Sequence, residues 1–133
     1  MAEKLRLKII NPQKVAYNKE VDEIVLPGKE GDFGVLYGHT PFLTSIRPGT
    51  ILIRVGNDYD YFSIHNGFAE IDFDKVNIVT ETIEHSSDID KERAEQARKR
   101  AERRLKEKGD IDFRRAEAAL HRAIARIKTI ELS

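Results

Sequence analysis

A chain of 133 residues with 40% hydrophobic side chains is long enough for one domain with a buried core and an appendage. It contains no cysteine, which excludes disulfides and thiolate metal sites. No apolar run approaches the roughly 18 residues of a membrane span, and the alternating N-terminus lacks the apolar segment of a signal peptide, so we expect a soluble protein of a reducing compartment.

The zero net charge hides an uneven distribution. Residues 88–133 carry 14 Lys and Arg against 10 Asp and Glu, a net charge of +4, and residues 1–87 carry −4. The C-terminal part should therefore prefer an acidic partner, although the alternative of an ordinary solvated charged face stays open.

Short strands are predicted from the N-terminus to about residue 84. Apolar and polar residues alternate in Leu5–Ile9, in 51–55 and in 59–64, as in strands with one buried face. Turn residues separate these runs, and Asn66-Gly67 is the strongest turn dipeptide. Many short strands at intervals of about 8–12 residues indicate an all-β domain, residues 1–84, built as an antiparallel sandwich or flattened barrel.

Two helices are predicted in residues 85–133, after a linker at 83–87. We expect the first to begin with a capping box formed by Ser87 and Asp90 and to run to about Lys108. Gly109 is a natural stop, and Asp110 is the expected cap of the second helix. So short a connection predicts an antiparallel hairpin.

The two helices differ in their apolar stripes. The first has Ala94, Ala97, Ala101 and Leu105, and the second has Phe113, Ala116, Leu120, Ala123, Ile124, Ile127 and Ile130. Burial stabilises by about 0.8 kcal/mol per CH₂, so the alanine stripe holds the first helix weakly and the second helix should supply most of the docking energy. We therefore expect a hairpin that can change partners.

Three segments together carry a resemblance to a known family: Gly31-Asp-Phe-Gly-Val-Leu-Tyr-Gly-His-Thr-Pro41, Asn66-Gly-Phe-Ala-Glu70 and Asp88-Ile-Asp-Lys-Glu-Arg-Ala94. In their order and spacing they resemble the epsilon subunits of bacterial F-type ATP synthases, which usually have Gly where Asn66 stands. The resemblance implies a β-sandwich of about ten strands followed by an antiparallel two-helix hairpin. It also implies a non-catalytic subunit of the central stalk, peripheral to the cell membrane on its cytoplasmic side.

The resemblance implies partners as well. The β domain would bind the gamma subunit and the c-subunit ring, with Asp32 and His39 as ring contacts; the alternative is that both serve only the local turn. The hairpin would either lie folded on the sandwich or extend into the catalytic head and block ATP hydrolysis. Its basic face would then meet an acidic segment of the catalytic beta subunits, in agreement with its positive charge.

Some relatives bind ATP on the folded hairpin as a regulatory ligand, and no cofactor is required. The corresponding residues here are Glu84, Ile89, Asp90, Arg93, Ala94, Arg100, Arg115, Arg122 and Arg126. Arginine pairs well with phosphate, and Asp90 and Glu84 could hold the ribose or adenine edges. Against this interpretation, residues 110–116 repeat the pattern of 88–94 as an ordinary capped helix start, and no Gly-rich phosphate loop is present.

Other functions have less support in the sequence. The four histidines lack metal-ligand spacing, and no catalytic constellation is apparent. A free-standing ATP sensor is one alternative. A nucleic-acid-binding helix is another, but acidic residues are interleaved with the basic ones and the whole chain is neutral, so we expect no nucleic-acid partner.

Overall fold

The computed structural model describes residues 3–107 and 112–133 of the chain. The strands are β1 (Leu5–Ile10), β2 (Val15–Val21), β3 (Glu23–Gly28), β4 (Gly31–Val35), β5 (Phe42–Ile46), β6 (Gly49–Val55), β7 (Asp58–Ile71) and β8 (Lys75–His85). They are followed by a 3₁₀ turn (Ser86–Asp88) and by the helices α1 (Lys91–Lys106) and α2 (Phe113–Leu132). An all-β domain followed by two helices is thus confirmed.

The strands form one hydrogen-bonded network in the order β2-β1-β8-β7-β5-β3-β4, and β6 pairs with both β3 and β7. Alternate side chains point inward and form one apolar core. Its buried residues are Leu5, Leu7, Ile9, Tyr17, Val21, Ile24, Leu26, Val35, Ile46, Ile51, Ile53, Ile64, Ala69, Ile71, Val76 and Ile78. Neighbouring strands are antiparallel except β1 and β8, which run parallel.

The described residues form eight strands where the resemblance implied about ten, because two of the strands are long. β7 spans 14 residues and contains two runs that the sequence pattern predicts as separate strands. β8 spans 11 residues and takes in residues 83–85, which the sequence pattern places in the linker.

β7 continues through Asn66 and Gly67, so the prediction of a chain-reversing turn there is wrong. His65 is opposite Thr82 and Gly67 is opposite Thr80, so the register with β8 is the same on both sides of Asn66. Both residues have positive φ, 52° for Asn66 and 152° for Gly67. Asn and Gly tolerate this backbone conformation within a strand as well as in a turn. β7 pairs with β6 before these two residues and with β5 from Gly67 onward.

The hairpin lies on the sandwich through its second helix. α2 contacts β6 and β7, while α1 packs on α2, as the stripes predicted. α1 buries only Ala94 and Ala101. The buried residues of α2 are Ala116, Ala123, Ala125, Ile127 and Thr129.

Two residues expected in the buried stripe of α2, Phe113 and Ile124, are exposed instead. Polar contacts of Arg126 and Thr129 with the sandwich fix how α2 is rotated, and this rotation turns Ala125 inward. The spacing of apolar residues could not predict this rotation of α2, because the rotation depends on polar contacts with the sandwich.

The helix caps confirm the interpretation of the internal repeat. Asp90 caps α1 by accepting a hydrogen bond from the Arg93 backbone N–H at 3.1 Å, and Asp112 caps α2 by accepting one from Arg115 at 3.1 Å. Ser87 is not the cap of α1, because it lies in the 3₁₀ turn and donates its N–H to His85 Nδ1.

The remaining predictions about the helix ends concern the connection between α1 and α2. α1 ends at Lys106 rather than at about Lys108, and the observed cap of α2 is Asp112. Lys108, Gly109 and the predicted cap Asp110 lie outside the described residues.

Candidate functional site

A cleft of about 330 Å³ lies where the end of β8 and the start of α1 face α2. It is lined by Glu84, Asp88, Ile89, Asp90, Arg93, Ala94, Ala97 and Arg126. Arg126 belongs to the C-terminal half of α2, whereas Arg93 and Ala94 belong to the first turn of α1, so the two helices run antiparallel. We call this site the hairpin cleft.

The hairpin cleft brings together six of the nine residues considered for ATP: Glu84, Ile89, Asp90, Arg93, Ala94 and Arg126. The other three do not line it. Arg100 is exposed on α1, Arg115 is exposed in the first turn of α2, and Arg122 is half-buried one turn before Arg126.

Sequence reasoning missed two lining residues, Asp88 and Ala97. Asp88 is the first acid of the repeated segment, and Ala97 follows Ala94 by one helical turn. The repeated segment and the helical spacing are both visible in the sequence, but neither shows that the residue faces the hairpin cleft.

The strongest polar contact in the hairpin cleft is an ion pair between the hairpin and the sandwich. Arg126 Nε donates to Glu84 Oε1 at 2.7 Å, and each side chain retains about a third of its exposure. The Asp90 carboxylate is used as the cap of α1. The lining therefore has three carboxylates and two guanidinium groups, and an anionic ligand would have to sit on the Arg93 and Arg126 side.

The surface of α2 that faces the sandwich is polar as well as small. Thr129 Oγ1 donates to the Ala125 carbonyl at 2.8 Å and lies 2.7 Å from Thr50 Oγ1. Since the single hydroxyl proton of Thr129 is used within the helix, Thr50 must be the donor in the second bond.

A second cleft, of about 410 Å³, lies beside the glycine-rich segment. Its lining residues include both predicted ring contacts, Asp32 and His39. Asp32 Oδ1 accepts a hydrogen bond from Arg47 Nη2 at 2.7 Å, and Arg47 Nε donates to the Gly28 carbonyl at 3.1 Å. Asp32 therefore contributes to the local turn whatever else it contacts.

His39 makes a local hydrogen bond too. Its Nδ1 lies 2.6 Å from the Thr40 carbonyl oxygen, which can only accept, so Nδ1 is the donor in this bond. We call the surface formed by Asp32, His39 and the exposed ring of Phe42 the loop face.

In residues 3–107 and 112–133, no three His, Asp or Glu side chains are grouped so that they could hold a metal ion. Neither helix, in the part of the chain that the structure describes, is long and apolar enough to cross a membrane.

Comparisons with protein families match almost the whole chain. The model of the ATP synthase delta/epsilon chain β-sandwich domain matches residues 4–86, and the model of the long α-helix domain of the same chain matches residues 87–131.

Bacterial proteins named ATP synthase epsilon chain are similar in sequence. The protein of Desulfosudis oleivorans is 45% identical over 106 residues, which cover 79% of this chain and 80% of the relative. That of Syntrophobacter fumaroxidans is 46% identical over 107 residues, 80% of each.

Solved structures are similar in fold. A chain of the Euglena gracilis mitochondrial ATP synthase (OSCP, F1 and c-ring) has a TM-score of 0.88 at 22% identity, over 100% of this chain and 84% of that one. A chain of the Tetrahymena thermophila mitochondrial ATP synthase central stalk and c-ring has a TM-score of 0.62 at 17% identity, over 97% of this chain and 98% of that one.

Proposed function

This chain belongs to the ATP synthase delta/epsilon family as a non-catalytic subunit of the central stalk, and we propose that it has two tasks there. Its sandwich holds the gamma subunit and the c ring together, so that proton flow drives ATP synthesis. Its hairpin restrains ATP hydrolysis. The complex holds the chain at the cytoplasmic side of the cell membrane.

An exposed apolar face on the sandwich supports the first task. Phe68 of β7 is opposite Val79 of β8, and Leu43 of β5 lies on the same face. Leu43 is 69% exposed, Phe68 60% and Val79 51%. Large apolar side chains exposed together on one face of a sheet are typical of a protein interface, and we assign this face to gamma. The loop face is the corresponding surface for the c ring.

The hairpin's attachment is the observation that carries the second task. α1 packs on α2, and the buried residues of α2 are three alanines, Ile127 and Thr129. The Thr50–Thr129 hydrogen bond and the Arg126–Glu84 ion pair join α2 to the sandwich. Much of this attachment is therefore polar, and water can solvate those groups after detachment. The hairpin can therefore extend, and its net charge of +4 suits the acidic segment of the beta subunits.

A reversible disulfide tests the second task. The chain has no cysteine, so Thr50→Cys with Thr129→Cys introduces a single pair at a site where the native oxygens are 2.7 Å apart. We expect catalytic heads carrying the oxidised chain to hydrolyse ATP freely and to become inhibited after reduction. The Thr129→Cys single variant is the control. Equal rates before and after reduction would contradict inhibition by a released hairpin.

We also propose that the hairpin cleft binds ATP and so favours the folded hairpin. Arg93 and Arg126 would hold the phosphates, with Arg122 one turn away, while Glu84 and Asp90 would hold the ribose or adenine edges. The six lining residues support this assignment, and because Arg126 uses only its Nε toward Glu84, its Nη groups are the donors that would reach a phosphate. Arg100 and Arg115 would need a rearrangement of the hairpin to take part.

Calorimetry with Mg-free ATP on the full chain tests the cleft. We expect heat of binding from the native chain and from Lys128→Gln, an exposed change on the same helix, and none from Arg126→Gln. If the native chain gives no heat of binding at millimolar ATP, the site is excluded.

A further inference from the structure

His65 lies in β7 directly beneath α2 and is only 1% exposed. Its neighbours in the strand, Ser63 and Ile64, are also buried, because the core covers one side of β7 and α2 covers the other. The ring is therefore shielded from water only while α2 is docked.

Two hydroxyl groups hold the ring in place. His65 Nδ1 lies 2.6 Å from Thr82 Oγ1, and Nε2 lies 3.1 Å from Ser63 Oγ. A hydroxyl can donate or accept, so these bonds suit a neutral ring and a protonated ring equally well. The preference between the two forms must come from burial and from nearby charges.

The charges that face the ring are mainly positive. Arg122 and Arg126 act on it from α2. On β8, Glu84 lies on the same face and pairs with Arg126, so the two arginines and Glu84 together carry a net charge of +1; the residue of β6 on that face is the uncharged Thr50. Burial, and then these two arginines, lower the pKa of His65 from 6.5 to about 4.

We propose that His65 is an acid-sensitive latch for the hairpin: a proton on its buried ring, opposite Arg122 and Arg126, drives α2 off the sandwich. The latch rests on the proposed mobile hairpin and adds a signal that releases it. Under that proposed function, acidification favours the extended, inhibitory form.

The sign follows from linkage. Docking keeps the ring neutral, and release returns it to water, where its pKa approaches 6.5 again. Below that value the released form binds a proton that the docked form refuses, so lower pH favours release. For a docked pKa of about 4, the released-to-docked ratio should rise about tenfold between about pH 7.5 and about pH 5.5.

Amide hydrogen exchange of the full chain, corrected for the intrinsic pH dependence of exchange, tests the latch. We expect the opening equilibrium of α2 to rise about tenfold over that pH range, and to stay flat in His65→Gln, which keeps a donor and an acceptor for the two hydroxyls. His121→Gln, an exposed change on α2, is the matched control that should keep the native pH response.

The outcomes separate the latch from the hairpin itself. If α2 opens only together with the sandwich at every pH, both the latch and the mobile hairpin fail. If α2 opens by itself but without a pH response, or with the same response in His65→Gln, the latch alone is wrong. Should His65→Gln not fold, NMR titration of the ring in the native chain decides, since a docked ring that titrates near 6.5 overturns the proposal.

Discussion

Arg126 and Glu84 form an ion pair of 2.7 Å that joins α2 to the last strand of the sandwich inside the hairpin cleft. Glu84→Gln should weaken docking of the hairpin, because the guanidinium loses its charged partner. Partly exposed pairs contribute about 0.5–1 kcal/mol, so we expect two- to fivefold faster exchange of α2 amides. Glu81→Gln, an exposed change on the same strand, is the control, and equal exchange in both variants would show that the pair does not hold the hairpin.

The Thr50–Thr129 contact should behave as a coupled pair. Thr129→Val removes the hydrogen bonds of the Thr129 hydroxyl. Because Thr129 is fully buried, water cannot replace those bonds. We expect a loss of about 1 kcal/mol in the free energy of α2 docking. Adding Thr50→Val should cost little more, because its partner is already gone. A double-mutant cycle by hydrogen exchange measures the coupling, and simple additivity would contradict a direct bond.

Acid should destabilise the sandwich partly through Asp22. Its carboxylate accepts the Gly56 N–H at 2.7 Å, and this bond, with Lys4 and Arg54 nearby, lowers the pKa of Asp22. Because the pKa is lower in the folded state, the ionised carboxylate stabilises the fold above the unfolded pKa of about 3.9. This stabilisation is lost as the pH falls from that value through the folded pKa. Urea unfolding from neutral pH to about pH 3 should show a shallower acid slope in Asp22→Asn than in the native chain.

Asp58→Asn is the matched control for that slope, since Asp58 lies at the β6–β7 turn beside Gly56 but does not bind its N–H. A slope as steep in Asp22→Asn as in Asp58→Asn would assign the acid sensitivity to other groups.

Gly67 should tolerate no side chain. A Cβ there would lie 2.0 Å from the Val79 carbonyl oxygen, and its φ of 152° disfavours any L residue. Gly67→Ala should therefore cost more than about 3 kcal/mol or prevent folding. In contrast, the nearest atom to a Cβ at Gly34 is 4.0 Å away, so Gly34→Ala should be mild. Thermal unfolding of the two variants compares them, and similar melting temperatures would mean that β7 and β8 can separate at Gly67.

Local patterns predicted much of this fold because the relevant interactions are local. Alternation identified the strands, and the repeated segments 88–94 and 110–116 marked the region of both helix starts, although the observed caps are Asp90 and Asp112 rather than the predicted Ser87 and Asp110. Asn66-Gly67 misled because the positive φ that both residues tolerate occurs here inside a continuous strand rather than in a turn.

The contacts that depend on tertiary structure were not predictable in this way. Ser63 and His65 look like the solvent-facing positions of an ordinary strand, and only the docking of α2 buries them. Likewise, nothing in the spacing of the arginines shows that Arg126 faces the hairpin cleft while Arg115 does not. The resemblance supplied six residues of the cleft, but the ion pair that occupies Arg126 came from the structure.

The role of Asp32 can be decided by reversing a charge pair. Asp32→Arg places two cations side by side, because Asp32 accepts a hydrogen bond from Arg47. If Asp32 contacts the c ring, Asp32→Arg should weaken ATP-driven proton pumping in reconstituted vesicles, and the double change Asp32→Arg with Arg47→Asp should not restore it. If Asp32 serves only the local turn, the double change re-forms the ion pair and pumping returns. Normal pumping with Asp32→Arg alone would mean that Asp32 affects coupling neither through the c ring nor through the local turn.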